Sequence, residues 1–192
     1  IEFKFPFGFK ELEGIHSRTD FDLSAHEKFS GRKLQYFDPE RNENYVPYVV
    51  ETSIGLDRMF LALFSNCLKD EVLEDGSERT VLSLPPALAP VKAAILPLVK
   101  KDGLPEFAEK IFNDLKYDFN VISEEKDSIG KRYRRQDAIG TPFCITVDHD
   151  SLADGTVTLR ERDTMKQERV KVEDLRRIID EKVNFRTLLS KI

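Results

Sequence analysis

A carboxylate, a hydroxyl, a glycine and an arginine follow one another within residues 51–58, which read ETSIGLDR. Glu51 and Ser53 are two positions apart, so their side chains share one face if this stretch is extended. Arg58 falls in the first turn of the helix that the following residues predict. Unpaired N–H groups at a helix N-terminus attract anions, and an arginine fork can grip a phosphate. The spacing therefore predicts an anion-binding strand-to-helix junction; the simpler alternative is a solvated Asp57–Arg58 pair.

Two hydrophobic patterns predict the elements that position this junction. Residues 48–50 are aromatic and β-branched, which favours a strand. We therefore expect a strand that gives way to a helix near Gly55, with one apolar face turned to a core. The apolar positions of that helix recur with the period of an amphipathic helix, at Leu56, Met59, Phe60, Leu63, Phe64 and Cys67.

The composition is that of an ordinary globular protein, with 192 residues, 40% of them hydrophobic and 34% charged. That length allows one large domain or two small ones. No apolar run approaches the roughly 20 residues of a membrane span, and the N-terminus lacks a signal-peptide pattern. The chain begins with Ile1, inside a predicted strand, so we expect a piece of a longer protein. Cys67 and Cys144 lie in apolar patterns, which favours buried free thiols and a cytoplasmic location.

Charge is distributed unevenly along the chain. Residues 1–80 carry 10 Lys+Arg against 16 Asp+Glu, whereas residues 81–192 carry 20 against 19. The second half is therefore the better candidate for binding nucleic acid. Its densest basic cluster lies within residues 131–135, where Tyr133 is available for stacking, and Arg160 and Arg162 could extend it. A solvated helix face is the alternative explanation.

The first half of the chain is predicted to contain a strand over residues 1–9 with phenylalanines on one face, and a short helix that Ser24 caps. Residues 38–44 are predicted to form a loop. The acidic, glycine-containing stretch 69–79 is the best linker candidate. We therefore expect one domain over residues 1–79 and a second over residues 80–192.

Strands and helices are predicted to alternate in the second half, in the order βαβαβββα, which indicates a mixed sheet and an α/β fold. The predicted elements cover residues 93–99, 105–116, 120–123, 128–139, 143–147, 156–162, 168–172 and 175–183.

The aspartates on either side of His149 suggest a metal site, but neighbouring side chains on a strand point to opposite faces, so we expect none there.

Five stretches carry a resemblance to a known family. ETSIGLDR and the apolar helix after it resemble the third signature motif of class II aminoacyl-tRNA synthetases. FPFGFKELEGIHSRTDFDLSAHEKFSG is similar to the segment before that motif in dimeric glycyl-tRNA synthetases, with His16 in place of an expected smaller residue. LPPALAPVKAAILPLVKKDGL, SIGKRYRRQDAIGTPFCITVD and TVTLRERDTMKQERV resemble their anticodon-binding domain. The resemblance implies the end of an antiparallel-sheet catalytic domain, followed by a mixed-sheet α/β anticodon-binding domain.

The resemblance also implies roles for particular residues. Glu51 and Ser53 would recognise the ammonium group of glycine, Arg58 would grip the γ-phosphate of ATP, and Glu51 and Arg58 are the catalytic candidates. Magnesium would be carried by the nucleotide rather than by a protein cage. The implied glycine site comprises Glu51, Thr52, Ser53, Ile54 and Gly55; the ATP site Glu11, Leu12, Gly55, Leu56, Asp57 and Arg58; and the tRNA face Lys131, Arg132, Arg134 and Arg135.

The implied activity is that of a glycine–tRNA ligase, which activates glycine with ATP and transfers the glycyl group to the 3′ end of tRNA. The family's first two motifs are absent from these residues, so we expect this chain to be inactive alone and the full-length enzyme to be a homodimer. Two alternatives stay open: a non-catalytic, synthetase-like module that binds tRNA or protein, and a structural α/β domain without nucleic acid.

Overall fold

The computed structural model describes residues 1–190. The chain divides into two compact units, Ile1–Ser65 and Asn66–Ile192. None of the helices in the described residues is long and apolar enough to cross a membrane.

The first unit is built from three antiparallel strand pairs and two helices. Strand β1 pairs with β2, β3 with β6, and β4 with β5. The elements are β1 (Glu2–Phe5), β2 (Gly8–Glu11), β3 (Glu13–Thr19), α1 (Phe21–Ser30), β4 (Tyr36–Asp38), β5 (Glu43–Tyr45), β6 (Val49–Ile54) and α2 (Leu56–Cys67).

Three local predictions for this unit differ from the structure. The single strand expected over residues 1–9 is the β1–β2 hairpin, because Pro6 and Phe7 form a turn and Gly8, which follows it, has a φ of +104°. Helix α1 begins at Phe21 rather than at Ser24, whose hydroxyl instead donates to the Asp20 carboxylate at 3.1 Å. The loop expected over residues 38–44 is mostly the tip of the β4–β5 hairpin.

Helix α2 begins beside Gly55 as predicted, but its apolar stripe does not face a core. Leu56 is 82% exposed and Phe60 is 65% exposed. The only hydrophobic side chains buried in the described first unit are Phe5 and Ala62. This unit is therefore a set of hairpins and helices whose apolar faces lack a covering layer within the described residues.

The second unit is an α/β domain around a five-stranded mixed sheet, which confirms the predicted fold class. The strand order is β10-β9-β11-β12-β13; β9 is parallel to β10 and β11, and β12 is antiparallel to both its neighbours. A short helix, α5, and a final one, α7, were not predicted. The elements are β7 (Leu68–Val72), β8 (Glu78–Leu82), β9 (Ala93–Pro97), α3 (Leu104–Leu115), β10 (Val121–Ser123), α4 (Ile129–Ile139), β11 (Phe143–Val147), α5 (His149–Asp154), β12 (Thr156–Glu161), β13 (Gln167–Lys171), α6 (Leu175–Val183) and α7 (Phe185–Leu189).

The core of this unit follows the predicted periodicities. Strand β9 is buried along its whole length, as expected for a strand covered on both faces. Ile95 and Ile145 lie in adjacent parallel strands and are fully buried, together with Leu104 of α3 and Ile179 of α6. These contacts give the second unit a hydrophobic core of its own.

The acidic stretch expected to be a linker is a hairpin instead. Strands β7 and β8 pair antiparallel from Leu68 to Leu82. Val81 is fully buried, and the Leu82 carbonyl lies 3.0 Å from the position that a Cβ on Gly140 would take. Because the hairpin packs against the end of α4, the compact division falls at residue 65 rather than at residue 79.

A buried ionic network holds the hairpin to the domain. The Asp137 carboxylate on α4 is fully buried and accepts two hydrogen bonds from Arg160 of β12, at 2.8 and 3.0 Å. Arg79 of β8 donates to the same carboxylate at 3.2 Å, to Glu71 at 2.8 Å and to the Arg162 carbonyl at 2.8 Å. One buried carboxylate therefore joins three elements that are far apart in the sequence.

Replacing Arg79 with alanine should destabilise the second unit strongly. The change leaves Asp137 with one cation and the Arg162 carbonyl without its donor, and breaking a buried ion pair costs about 3–5 kcal/mol. Urea unfolding of the chain, followed by circular dichroism, measures the loss. Arg177, whose ion pairs are exposed, is the matched control, and its alanine variant should change the free energy of unfolding by less than about 1 kcal/mol. Equal effects of the two variants would contradict the role given to the buried network.

Candidate functional sites

The β6–α2 junction gathers the residues predicted to bind the small substrates. In the β3–β6 pair, Glu51 lies opposite His16 and Ser53 lies opposite Gly14. Directly paired residues share a face, so these four residues line one side of the two-stranded ribbon. Thr52 and Ile54 alternate to the other side, and they reach the first side only through their backbone.

Arg18 lies next to the Glu51 carboxylate. It makes two hydrogen bonds of 2.8 Å to Asp22, and its Nε is 3.3 Å from Glu51. The hydrogen bond from Arg18 lowers the pKa of Asp22, and the same contact raises the pKa of Arg18. Because the short bonds of Arg18 go to Asp22, the Glu51 carboxylate keeps acceptor capacity for a second cation.

Arg58 brings the other predicted nucleotide residues to the junction. It lies in the first turn of α2, and its Nη1 donates to the Glu11 carbonyl at the end of β2, next to Leu12. Its remaining guanidinium donors have no acceptor among the described residues. A Cβ on Gly55 would make ordinary van der Waals contacts, 3.7 Å and longer, with the aliphatic part of Arg58, so the Arg58 side chain lies beside Gly55. Leu56 and Asp57 are exposed in the same turn.

The basic cluster of α4 divides into exposed and engaged side chains. Lys131 is exposed and makes no side-chain hydrogen bond among the described residues. Arg134 is half-buried and donates to Ser77 of the hairpin at 3.3 Å. Arg135 is paired with Glu124 at 2.6 Å and with Asp127 at 2.9 Å. Lys131 therefore presents the most available charge of the cluster.

Arg132 disagrees with the prediction that it belongs to a tRNA-facing surface. It is 2% exposed and donates to the carbonyls of Pro97 at 2.7 Å, Glu124 at 3.1 Å and Leu98 at 3.2 Å. Burial lowers the pKa of its guanidinium. Arg132 thus anchors α4 to the carboxyl ends of two strands. Helical spacing could have predicted the burial of Arg132. Side chains at i, i+3, i+4 and i+7 of α4 face the sheet, and they are Ile129, Arg132, Tyr133 and Gln136.

The expected extension of the basic surface is also wrong, because Arg160 and Arg162 are buried. Arg162 donates to the carbonyls of Gly140 at 2.8 Å and Leu84 at 2.7 Å. The Arg160 guanidinium lies 4.8 Å from the centre of the Tyr133 ring, and the Tyr133 hydroxyl is 2.6 Å from that of Thr146. The Tyr133 ring is therefore engaged within the domain rather than offered for stacking.

The aspartate that precedes His149 caps a helix. Asp148 and His149 are not on a strand, because α5 begins there with Asp148 as its N-cap. The Asp148 carboxylate accepts from the Ser151 amide at 3.0 Å and from Arg169, whose hydrogen bond lowers its pKa. Within residues 1–190, no group of three or more His, Cys, Asp or Glu side chains is arranged to hold a metal ion. Both cysteines are buried and free, and burial raises the pKa of the Cys144 thiol to about 12.

Substitutions at neighbouring positions of α4 should distinguish a side chain that anchors the helix from one that is exposed. Arg132→Ala leaves three carbonyls without their donor and opens a cavity, so the free energy of unfolding should fall by about 2–4 kcal/mol. Lys131→Ala should change it by less than about 0.5 kcal/mol, because that side chain is exposed. Thermal unfolding of the two variants is the measurement. A stable Arg132→Ala protein would contradict the anchoring role.

Two kinds of comparison relate the chain to known proteins. Residues 92–182 match the family model described as the anticodon binding domain. The chain is also similar in fold to the RNA binding domain of threonyl-tRNA synthetase from Cryptosporidium parvum Iowa II. That match has a TM-score of 0.66 at 20% identity and covers 94% of this chain and 42% of that chain, so it shows the fold alone.

Curated relatives share much more sequence with the chain. The glycine–tRNA ligase of Chlorobaculum tepidum is 58% identical over 88% of this chain and 36% of the relative. That of Borrelia hermsii is 54% identical over 91% of this chain and 40% of the relative. That of Clostridium perfringens is 55% identical over 96% and 40%, respectively. The chain spans about 40% of the length of these relatives. The chain is therefore similar, over nearly all of its length, to the C-terminal region of glycine–tRNA ligases, and its residues 92–182 match the anticodon binding domain.

Proposed function

We propose that this chain is part of an enzyme that activates glycine with ATP to glycyl-adenylate and then transfers the glycyl group to the 3′ end of its tRNA. The observation that carries the proposal is the β6–α2 junction, where Glu51 and Ser53 share a face and Arg58 keeps donors free in the first turn of α2. Sequence identity of 54–58% to glycine–tRNA ligases over most of the chain supports it.

Each group at the junction has a role in this proposal. Glu51 and Ser53 accept hydrogen bonds from the ammonium group of glycine, with the backbone of residues 52–55 beside the substrate. Arg58 forms a fork on the γ-phosphate of ATP, and magnesium bound to the nucleotide neutralises the phosphate oxygens. Glu11, Leu12, Gly55, Leu56 and Asp57 border the nucleotide. Catalysis then rests on holding the carboxylate of glycine in line with the α-phosphate.

The first unit needs further chain to perform this chemistry. Leu56 and Phe60 are exposed on α2, and the described part of the unit has almost no buried apolar side chain. Burying such faces is what stabilises a domain. We propose that the rest of a full-length, homodimeric, cytoplasmic ligase covers them, and that this chain alone does not activate glycine.

The second unit is proposed to bind the anticodon arm of tRNA for glycine. Lys131, Arg134 and Arg135 are on the accessible side of α4, whereas Arg132 acts as the anchor that sets the position of that helix. Phosphate contacts by such side chains position the RNA without reading its bases. A non-catalytic, RNA-binding module is the second candidate function, and the self-contained core of this unit favours it.

Exchange of pyrophosphate into ATP tests the enzymatic proposal. The full-length ligase that carries this chain should exchange in a glycine-dependent way, and the chain alone should not. Arg58→Ala in the full-length protein should lower kcat/KM for ATP by about 10²–10³-fold, because a preorganised charge on the transferring group is removed. Arg32→Ala, an exposed arginine of the same unit, is the control and should leave exchange unchanged. Glycine-dependent exchange by the chain alone would contradict its proposed incompleteness.

Binding of tRNA by the chain tests the second unit at fixed, near-physiological salt. Affinity for tRNA for glycine should exceed affinity for the same tRNA with an altered anticodon. Combined replacement of Lys131, Arg134 and Arg135 by alanine should weaken binding, and the slope of log K against log salt should become shallower by about 1 for each phosphate that the variant no longer neutralises. Replacing Arg176 and Arg177 on α6 is the control for charge alone. Equal binding by the triple variant would exclude α4 as the RNA face.

A further inference from the structure

We propose that His16 is a specificity residue, whose imidazole excludes amino acids larger than glycine from the clamp formed by Glu51 and Ser53. This inference rests on the proposed function, because it requires the substrate ammonium group to bind at that clamp. It adds a residue, on the neighbouring strand, that would contact the α-carbon side of the substrate.

The strand register places His16 at the clamp. His16 lies directly opposite Glu51 on β3, and Gly14 lies directly opposite Ser53. Side chains of directly opposed residues are about 4.5–5.5 Å apart at Cβ. His16 is exposed in this unit, so its ring does not serve as part of a hydrophobic core. It is a bulky, exposed group on the same face of the ribbon as the two acceptors proposed to hold the ammonium ion.

The His16 ring occupies the space beside Gly14. Nε2 of His16 lies over residue 14 so closely that a Cβ there would overlap it. Gly14 is buried and is not among the glycines with positive φ, so the backbone itself does not require glycine. The space that a side chain on residue 14 would fill is taken by the imidazole. Gly14 and His16 therefore act together: the missing Cβ lets the ring fold back from Glu51 towards Ser53.

A ring in this position suits a substrate without a side chain. Rejecting larger amino acids needs an obstacle rather than a matching pocket, because glycine offers no side chain to bind. Attractive contacts discriminate one methylene group by only about 10–200-fold, so a steric barrier at the α-carbon is the effective device. The planar imidazole supplies that barrier on the face where both acceptors of the clamp lie.

The test is amino-acid-dependent exchange of pyrophosphate into ATP by the full-length ligase, with glycine and with alanine. In His16→Ala, the ratio of kcat/KM for alanine to that for glycine should rise by about 10-fold or more. His16→Phe keeps a planar ring and should retain the discrimination of the unsubstituted enzyme. Ser17→Ala, one residue further and on the other face of β3, is the matched control and should change nothing.

A second pair of variants tests the contact between the ring and residue 14. Gly14→Ala should displace the imidazole towards the clamp and raise KM for glycine, and adding His16→Ala should reverse that increase. Unchanged discrimination in His16→Ala, with glycine exchange intact, would overturn the inference and leave the proposed function standing. So would an equal loss of kcat/KM for both amino acids, which would place His16 at the nucleotide instead. Absence of glycine-dependent exchange in the unsubstituted enzyme would overturn both.

Discussion

The fully buried carboxylate of Asp137 is the constraint on which the second unit depends. A buried charge must be paired, and Asp137 is paired by Arg160 from the sheet and by Arg79 from the hairpin. Because Asp137 lies on α4, its partners fix the position of that helix against β12 and β8. Arg132, nearer the start of the same helix, ties it to the carboxyl ends of the strands. The exposed side of α4, with Lys131, is consequently presented on a rigid support.

The first unit, unlike the second, has few buried side chains. Its candidate site depends on strand register: the β3–β6 pairing brings Glu51, Ser53, Gly14 and His16 to one face. Arg58 reaches the end of β2 and so joins the helix N-terminus to the first hairpin. These local pairings are sufficient to place the polar groups, whereas the apolar stripe of α2 stays exposed within the described residues. In this unit the site geometry therefore depends on strand pairing rather than on a buried core.

The arginines of the second unit show how one residue type serves two purposes. Arg79, Arg132, Arg160 and Arg162 are buried, and each donates to carbonyls or to carboxylates. A guanidinium can satisfy several acceptors at once, which makes it suited to join loops and strand ends inside a domain. Only the remaining basic side chains are available to a polyanion, so the count of basic residues overstates the RNA-binding surface. The second half of the chain carries almost equal numbers of basic and acidic residues, which agrees with some of its arginines being paired inside the domain.

Much of this architecture could be predicted from the sequence alone, because hydrophobic period is a local property. The alternation of strands and helices after residue 92, the strand-to-helix change near Gly55, and the junction of Glu51, Ser53 and Arg58 all follow from spacing. Tertiary structure alone decided which charges are internal. Arg79 and Asp137 are 58 positions apart, and Lys131 and Arg132 are neighbours with similar side chains, yet packing buries one of the latter and exposes the other. Tertiary contacts also explain why the acidic stretch 69–79, expected to be a linker, forms a hairpin: Arg79 pairs with residues on distant elements. Burial depends on contacts between segments remote in sequence, and no local pattern records them.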